Sequence, residues 1–264
     1  MQVELADKVL VVTGGTQGVG ARIAALASSS RAAGILLTGR DAQRGTAMAA
    51  SLAESGSIVE FVRADLADPE APDIILDAAL EAFGRIDLLA NAAGLTDRAS
   101  VVDGTIEAWD RLFAVNARAP FFLMQGAVRD MKSRGSPGAI VNILSINAHC
   151  GAPELAIYSA SKGALATLTR NAAHAHLADR IRVNGINMGW TDTPGERTMQ
   201  GEILGKGEDW RRQAAASMPL KRLLSEDEVA QLAIFLLSDM SGLMTGALID
   251  LEQYVLGAPP RVNP

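Results

Sequence analysis

The stretch "VVTGGTQGVGARIAALA", residues 11–27, decides the fold. It opens on valines, turns on glycines and closes in an Ala-rich helical pattern, which is the order strand, glycine turn, helix. Gly14, Gly18 and Gly20 stand at G-x-x-x-G-x-G spacing. Small residues at such a turn let the backbone approach a pyrophosphate, and the helix N-terminus offers unpaired N–H groups and the positive end of a dipole. The same alternation runs on through the chain. Apolar runs at 8–14, 34–39, 57–65, 86–94, 138–145, 181–189 and 246–252 read as seven strands, several of them near-continuous Val, Ile and Leu. That composition is the mark of strands buried on both faces of a parallel sheet. Helical patterns fill 18–30, 41–55, 70–83, 105–133, 155–178 and 225–238, the last opening on "SEDE", a capping box.

The expected fold is therefore α/β, a doubly wound parallel sheet with helices on both faces, in one domain spanning 1–264. Residues 190–217, polar and Gly-rich, interrupt the regularity and are expected to form a substrate lid or loop. Composition narrows the function from the other side. Of 264 residues, 48% are hydrophobic and 20% charged, as in ordinary globular proteins. The net charge of −6, with no basic run longer than "WRRQ" or "LKRL", argues against nucleic acid and against an anionic membrane surface. No apolar run approaches the roughly 20 residues of a membrane helix. A single cysteine, Cys150, and a start without a signal peptide's charged and apolar regions lead to the expectation of a cytoplasmic protein. His174 and His176, two apart on a helix, point away from one another, so no metal site is expected there.

The second strand ends "LLTGRD". An acidic residue near that point serves the ribose of NAD, whereas an Arg accommodates the 2′-phosphate of NADP. Arg40 favours NADP(H), and the adjacent Asp41 keeps NAD(H) possible. Further along, "YSASK" sets Tyr158 four residues ahead of Lys162, so the two share one helical face. An ordinary Tyr, with pKa about 10, gives up its proton poorly at neutral pH. A neighbouring ammonium favours the phenolate, lowers that value and makes Tyr a general acid/base. Ser145 ends the fifth strand, at the sheet edge where open α/β folds place their ligands. Asn116 lies inside a helical pattern it does little to support.

Taken together, "TGGTQGVG" (13–20), "ADL" (64–66), "NAAG" (91–94), Asn116, Ser145 and "YSASK" (158–162) resemble the classical short-chain dehydrogenase/reductase family from about Leu5 to Leu251. The resemblance implies a Rossmann-type sheet and an NAD(P)-dependent alcohol dehydrogenase or ketoreductase. It implies that Ser145 polarises the substrate oxygen and that Tyr158 transfers the proton. It gives Lys162 the nicotinamide ribose and the lowering of the Tyr158 pKa. Asn116 holds a water in a proton relay. For the cofactor it implies contacts from Gly14, Thr16, Gln17, Gly18, Val19 and Gly20, with Asp65 and Leu66 at the adenine. Asn91, Ala92, Ala93 and Gly94 lie along it, and Gly189, Thr191 and Thr193 sit near the nicotinamide and pyrophosphate. It also implies a homo-oligomer, dimer or tetramer, built through the 105–133 and 155–178 helices.

Three positions depart from the family pattern. Met188 stands where Pro is usual and leaves the following loop less rigid. Gln17 replaces a frequent basic residue, so Arg40 is expected to carry the NADP preference largely alone. Glu252 and Gln253 follow the last strand where many relatives have glycines. Substrate candidates are Asn147, His149, Cys150, Glu154 and Trp190, which suit a small polar alcohol or carbonyl compound such as a sugar, polyol or hydroxy acid. The alternatives are a 3-oxoacyl carrier-protein reductase, which the net charge of −6 disfavours, and a non-catalytic nucleotide-sensing or interaction protein.

Overall fold

The computed structural model describes residues 3–54 and 56–257; residues 1–2, 55 and 258–264 of the expected domain lie outside the described residues. Seven parallel strands form one sheet in the order β3-β2-β1-β4-β5-β6-β7. They are β1 (Val9–Thr13), β2 (Gly34–Gly39), β3 (Ile58–Arg63), β4 (Leu88–Asn91), β5 (Gly138–Ile143), β6 (Ile181–Met188) and β7 (Leu248–Leu251). The apolar runs of the sequence become strands because both faces of the sheet are covered. β1 and β4 are buried along their whole length, while β3, at the sheet's edge, alternates between exposed and half-buried positions.

Helices α1 (Gly18–Ser29), α2 (Ala42–Ala53) and α9 (Glu226–Leu237) supply one face, where Ile23, Leu52, Val229 and Leu236 pack on Leu10, Val12 and Val141. The other face is made by α3 (Ala71–Phe83), α5 (Ala119–Ser133) and α6 (Ala156–Ala175), with Ile75, Leu123 and Leu165 against Val11, Leu89 and Ile140. The single long helix expected at 105–133 is in fact two. α4 (Ile106–Phe113) passes into a π turn at Ala114–Arg118 before α5 begins. Pro120 is the cause: it has no N–H to give the Asn116 carbonyl, and its ring would strike that carbonyl in a continuous α-helix.

Residues 190–217 also differ from the irregular loop the composition suggests. They contain α7 (Pro194–Arg197), a π stretch (Thr198–Ile203) and α8 (Trp210–Ser217). Thr193 caps α7 by accepting from the Glu196 N–H at 3.1 Å, and the capping box at Ser225 and Glu228 opens α9 as the sequence predicts. On the edge where helices end and strands begin, Arg31 and Arg180 adopt left-handed backbone with φ of 67° and 61°. None of the helices among the described residues is long and apolar enough to cross a membrane.

Candidate active site

The strand order reverses between β1 and β4, and the crevice at their C-terminal ends collects the glycine loop and the segment after β4. Thr13 ties the two together, its Oγ1 accepting from the Ala92 and Ala93 N–H groups at 3.0 and 3.1 Å. Gly14 and Gly18 take φ of +66° and +61°, which favours glycine. A Cβ on Gly20 would stand 2.3 Å from the Gly14 carbonyl oxygen, so only glycine lets α1 start this close to β1. Gln17 is the N-cap of α1 and its side chain makes no cap bond, so it leaves the helix's first N–H groups uncapped. Its Oε1 instead accepts from the Arg44 guanidinium.

Arg44 is a residue the sequence reading missed. Asp41, one of the two candidates for the adenosine ribose, caps α2 by accepting from the Arg44 N–H at 2.9 Å, and its other oxygen lies 3.5 Å from the Arg44 guanidinium. Arg44 thus brings a second guanidinium to the glycine loop, besides the exposed Arg40 at the end of β2. The signal was present in "RDAQR": an Asp N-cap puts the residue three positions later in the first helical turn, next to the preceding loop.

Asn91 is spent in the interior, its amide donating to Asn142 Oδ1 at 2.8 Å while Asn142 donates to Thr169 at 2.8 Å, which leaves Ala92 to Gly94 along the crevice. Gly94 opens onto the centre: a Cβ there would lie 3.3 Å from Lys162 Nζ and 3.5 Å from Asn116 Oδ1. Asp65 turns the chain after β3 by accepting from the Ala67 N–H at 3.0 Å, with Leu66 buried beside it. Beyond β6, Gly189 donates its N–H to Leu251 and Thr191 donates its hydroxyl to Gly189, at 2.9 and 3.0 Å. Asp192 and Leu224 continue this pairing, with N–H bonds of 2.9 Å to Leu224 and to Trp190. The segment after Met188 is thus held by backbone bonds on two sides. Thr193 and Pro194 come back over Gly18. A Cβ on Gly189 would overlap the Glu252 carboxylate, so the departure at 252 packs against this turn.

Asn116, Ser145, Tyr158 and Lys162 all converge, and each is at least nine-tenths buried. Ser145 leaves β5 in extended conformation, and its Oγ accepts from the Asn147 backbone and side-chain amides at 3.2 and 3.3 Å. Tyr158 lies in the first turn of α6 and Lys162 one turn on, its ammonium donating to the Ile143 carbonyl at 2.8 Å. The π turn aims Asn116 inward. Its amide exchanges two 2.9 Å bonds with the Leu95 backbone and donates to Ser161 at 3.0 Å, while Ser161 donates to the Tyr158 carbonyl at 2.7 Å.

The electrostatics correct one expectation. Tyr158 is shifted up, not down: burial raises its pKa, Glu196 adds to the rise, and the hydrogen-bonded Ser145 hydroxyl and Arg98 oppose it. Lys162 is itself shifted by burial, which disfavours its charge and brings its pKa down to about 8.

Of the substrate candidates, Asn147 joins the centre through Ser145. Trp190 donates its indole N–H to Glu196 at 2.8 Å. His149 is committed at the sheet's end, 2.9 Å from Asp250, with Asn187 donating to Asp250 at 2.7 Å. Glu154 is exposed and takes part through its backbone carbonyl, which accepts from the Ala99 N–H at 2.8 Å; Cys150 is exposed. His176 pairs with Asp179 at 2.7 Å. Glu196 and Arg98, which act on Tyr158 from distant segments, left no signal in the sequence.

A sequence profile described as Enoyl-(Acyl carrier protein) reductase matches residues 14–252. The chain is 34% identical to cis-4-hydroxycyclohexanecarboxylate dehydrogenase of Sinomonas cyclohexanicum, over 94% of this chain and 96% of that one. It is 33% identical to the NADP-dependent (R)-specific alcohol dehydrogenase of Lentilactobacillus kefiri, over 92% and 94%. Among solved structures, L-sorbose reductase from Gluconobacter frateurii, complexed with NADPH and L-sorbose, superimposes with a TM-score of 0.91 at 30% identity, over 98% of this chain and 100% of that one. The chain belongs to the short-chain dehydrogenase/reductase family, and its fold and class are those of an oxidoreductase.

Proposed function

We propose that this protein is an NADP-dependent oxidoreductase that interconverts an alcohol and a carbonyl on a small polar substrate, a sugar, polyol or hydroxy acid, with NAD as the less favoured cofactor. The observation that carries the reading is the joint burial of Asn116, Ser145, Tyr158 and Lys162, with Lys162 one turn along α6 from Tyr158, at the sheet edge beside the glycine loop. The residues present fit a nicotinamide dinucleotide. Gly14, Gly18 and Gly20 clear the backbone, the uncapped start of α1 suits a pyrophosphate, and Arg40 and Arg44 suit a 2′-phosphate. Such a cofactor, when bound, supplies or accepts the hydride.

The chain's own residues do the rest. Ser145, held by Asn147, directs its hydroxyl at the substrate oxygen. Tyr158 gives a proton to that oxygen in reduction and takes it in oxidation. Lys162 uses one N–H on Ile143 and keeps two for ribose hydroxyls, standing as a cation near the phenol. Asn116 positions Leu95 and Ser161 with its side chain, and its carbonyl, which Pro120 cannot serve, is the acceptor for a relay water. Thr16, Gln17, Val19, Asp65, Leu66, Ala92 to Gly94, Gly189, Thr191 and Thr193 complete the cofactor contacts, and residues 190–217 act as the lid of a single domain. The exposed Ile106, Trp109, Phe121 and Phe122 on α4 and α5 support a homo-oligomer, dimer or tetramer, and the lone Cys150 suits the cytoplasm.

Tyr158→Phe tests the reading. Turnover should fall by at least about a hundredfold, the scale of positioned proton transfer, while binding of NADPH, followed by its fluorescence, stays unchanged. Turnover surviving in that variant would sink the assignment. A 36% identity to a solved "putative betaketoacyl-ACP reductase" favours a second reading, a 3-oxoacyl carrier-protein reductase, which turnover of an oxoacyl thioester would support.

A further inference from the structure

A cavity of about 200 Å³ lies between the end of β6 and the α7–α8 segment, walled by Trp190, Gln200, Lys206, Trp210 and Gln213. Three donors on its wall lack partners among the described residues, the exposed Gln213 side-chain amide being one. The Lys206 ammonium makes no ion pair, although its backbone N–H is fixed to the Gln200 carbonyl at 3.0 Å. The Trp210 indole N–H has no acceptor, although the side chain is 5% exposed. Gly201 keeps that edge of the ring clear, since a Cβ there would stand 3.7 Å from Trp210 Nε1.

The neighbouring cations are already committed. Asp192 binds both Arg197 and Arg211, and Asp209 binds Arg212. Glu196, the acid nearest the wall, accepts from Trp190 at 2.8 Å and from Gln200 at 2.7 Å, and the exposed Glu202 and Glu208 do not line the cavity. Trp190 follows the end of β6, on the sheet edge that also carries Ser145, and its partner Glu196 bears electrostatically on Tyr158, so the cavity and the proposed proton donor share that edge.

We infer that this cavity receives the carboxylate of a hydroxy-acid or oxo-acid substrate, bound by the Lys206 ammonium and the Trp210 indole N–H, while the reacting oxygen lies at Ser145 and Tyr158. An ammonium and an indole N–H can only donate, and a carboxylate can only accept. The indole faces of Trp190 and Trp210 offer an apolar surface for the carbon skeleton. On a protein of net charge −6, an anionic substrate needs such a local cation. The inference rests on the oxidoreductase reading and narrows its substrate from sugar, polyol or hydroxy acid to the acid.

The test compares 4-oxocyclohexanecarboxylate with 4-methylcyclohexanone, which differ at the end remote from the ketone. With NADPH, the wild-type protein should show a KM for the acid about tenfold below that for the neutral ketone. Lys206→Met should erase this preference with kcat nearly unchanged, Lys206→Arg should keep most of it, and Trp210→Phe, which retains a ring without the N–H, should weaken the acid alone. Equal KM values in the wild type, or a preference that survives Lys206→Met, would overturn the inference. Calorimetric titration of both compounds into the NADP⁺ complex separates the two readings. Acid binding lost in Lys206→Met supports the site even if no ketone is reduced, a result that would count against the catalytic assignment alone. Acid binding unaffected by that substitution counts against the site.

Discussion

Lys162 sits in the fold with a pKa of about 8 against an ordinary 10.5, because burial disfavours its ammonium. Between those values the folded chain binds fewer protons than the unfolded one, so stability rises with pH across that window. The cost of holding the charge is present in full below pH 8, up to roughly 3 kcal/mol. Lys162→Met should therefore unfold with a flatter pH dependence over the same window, as measured by urea denaturation at a series of pH values. Arg44 offers the second test at this scale. Its guanidinium reaches Gln17 while Asp41 is held by its own helix, so Arg44→Ala should raise KM for NADP about tenfold and leave KM for NAD unchanged. Direct titration of both nucleotides checks the same point without turnover, and an equal loss for both would argue against a role for Arg44 in choosing between them.

At the scale of elements, the π turn between α4 and α5 does what neither helix could do alone. It turns Asn116 into a clamp on Leu95 and on Ser161 in the second turn of α6. Asn116→Ala should cost about 2 kcal/mol, because the part-buried Leu95 N–H and carbonyl lose their partners together. A thermal melt measures this, and a cost below that of an ordinary surface change would show the clamp to be idle. The seven strands were legible in the sequence because continuous Val, Ile and Leu runs have few other places to go in a soluble chain. The capping box at Ser225 was legible for a local reason, two side chains three residues apart. The π turn was not, since its cause, Pro120, reads equally well as a residue of a helix's first turn. The helices within 190–217 were hidden by the four glycines and Pro194 among them. Tyr158, Lys162 and Ser145 could be found from spacing, whereas Glu196 and Arg98 meet Tyr158 only through the tertiary fold.

Across the whole molecule, the parallel sheet brings the glycine loop, Ser145, the start of α6 and the 190–217 segment to one edge. Asp192 binds α7 and α8 together there, and a cavity of about 460 Å³ opens between that pair and the start of α9. The opposite edge carries only the returns from helix to strand. One of these, just after α1, holds Arg31 in left-handed backbone, a conformation that costs a residue with a Cβ about 1 kcal/mol. Its ion pair with Glu4, at 3.7 Å and well exposed on both sides, returns little of that. Arg31→Gly should raise the melting temperature by a few degrees at most, the strain relieved being partly offset by the greater freedom of glycine in the unfolded chain. Turnover should not change. A directed search for a hardier enzyme can thus begin at the edge remote from the chemistry, where improvement in endurance need not be traded against rate.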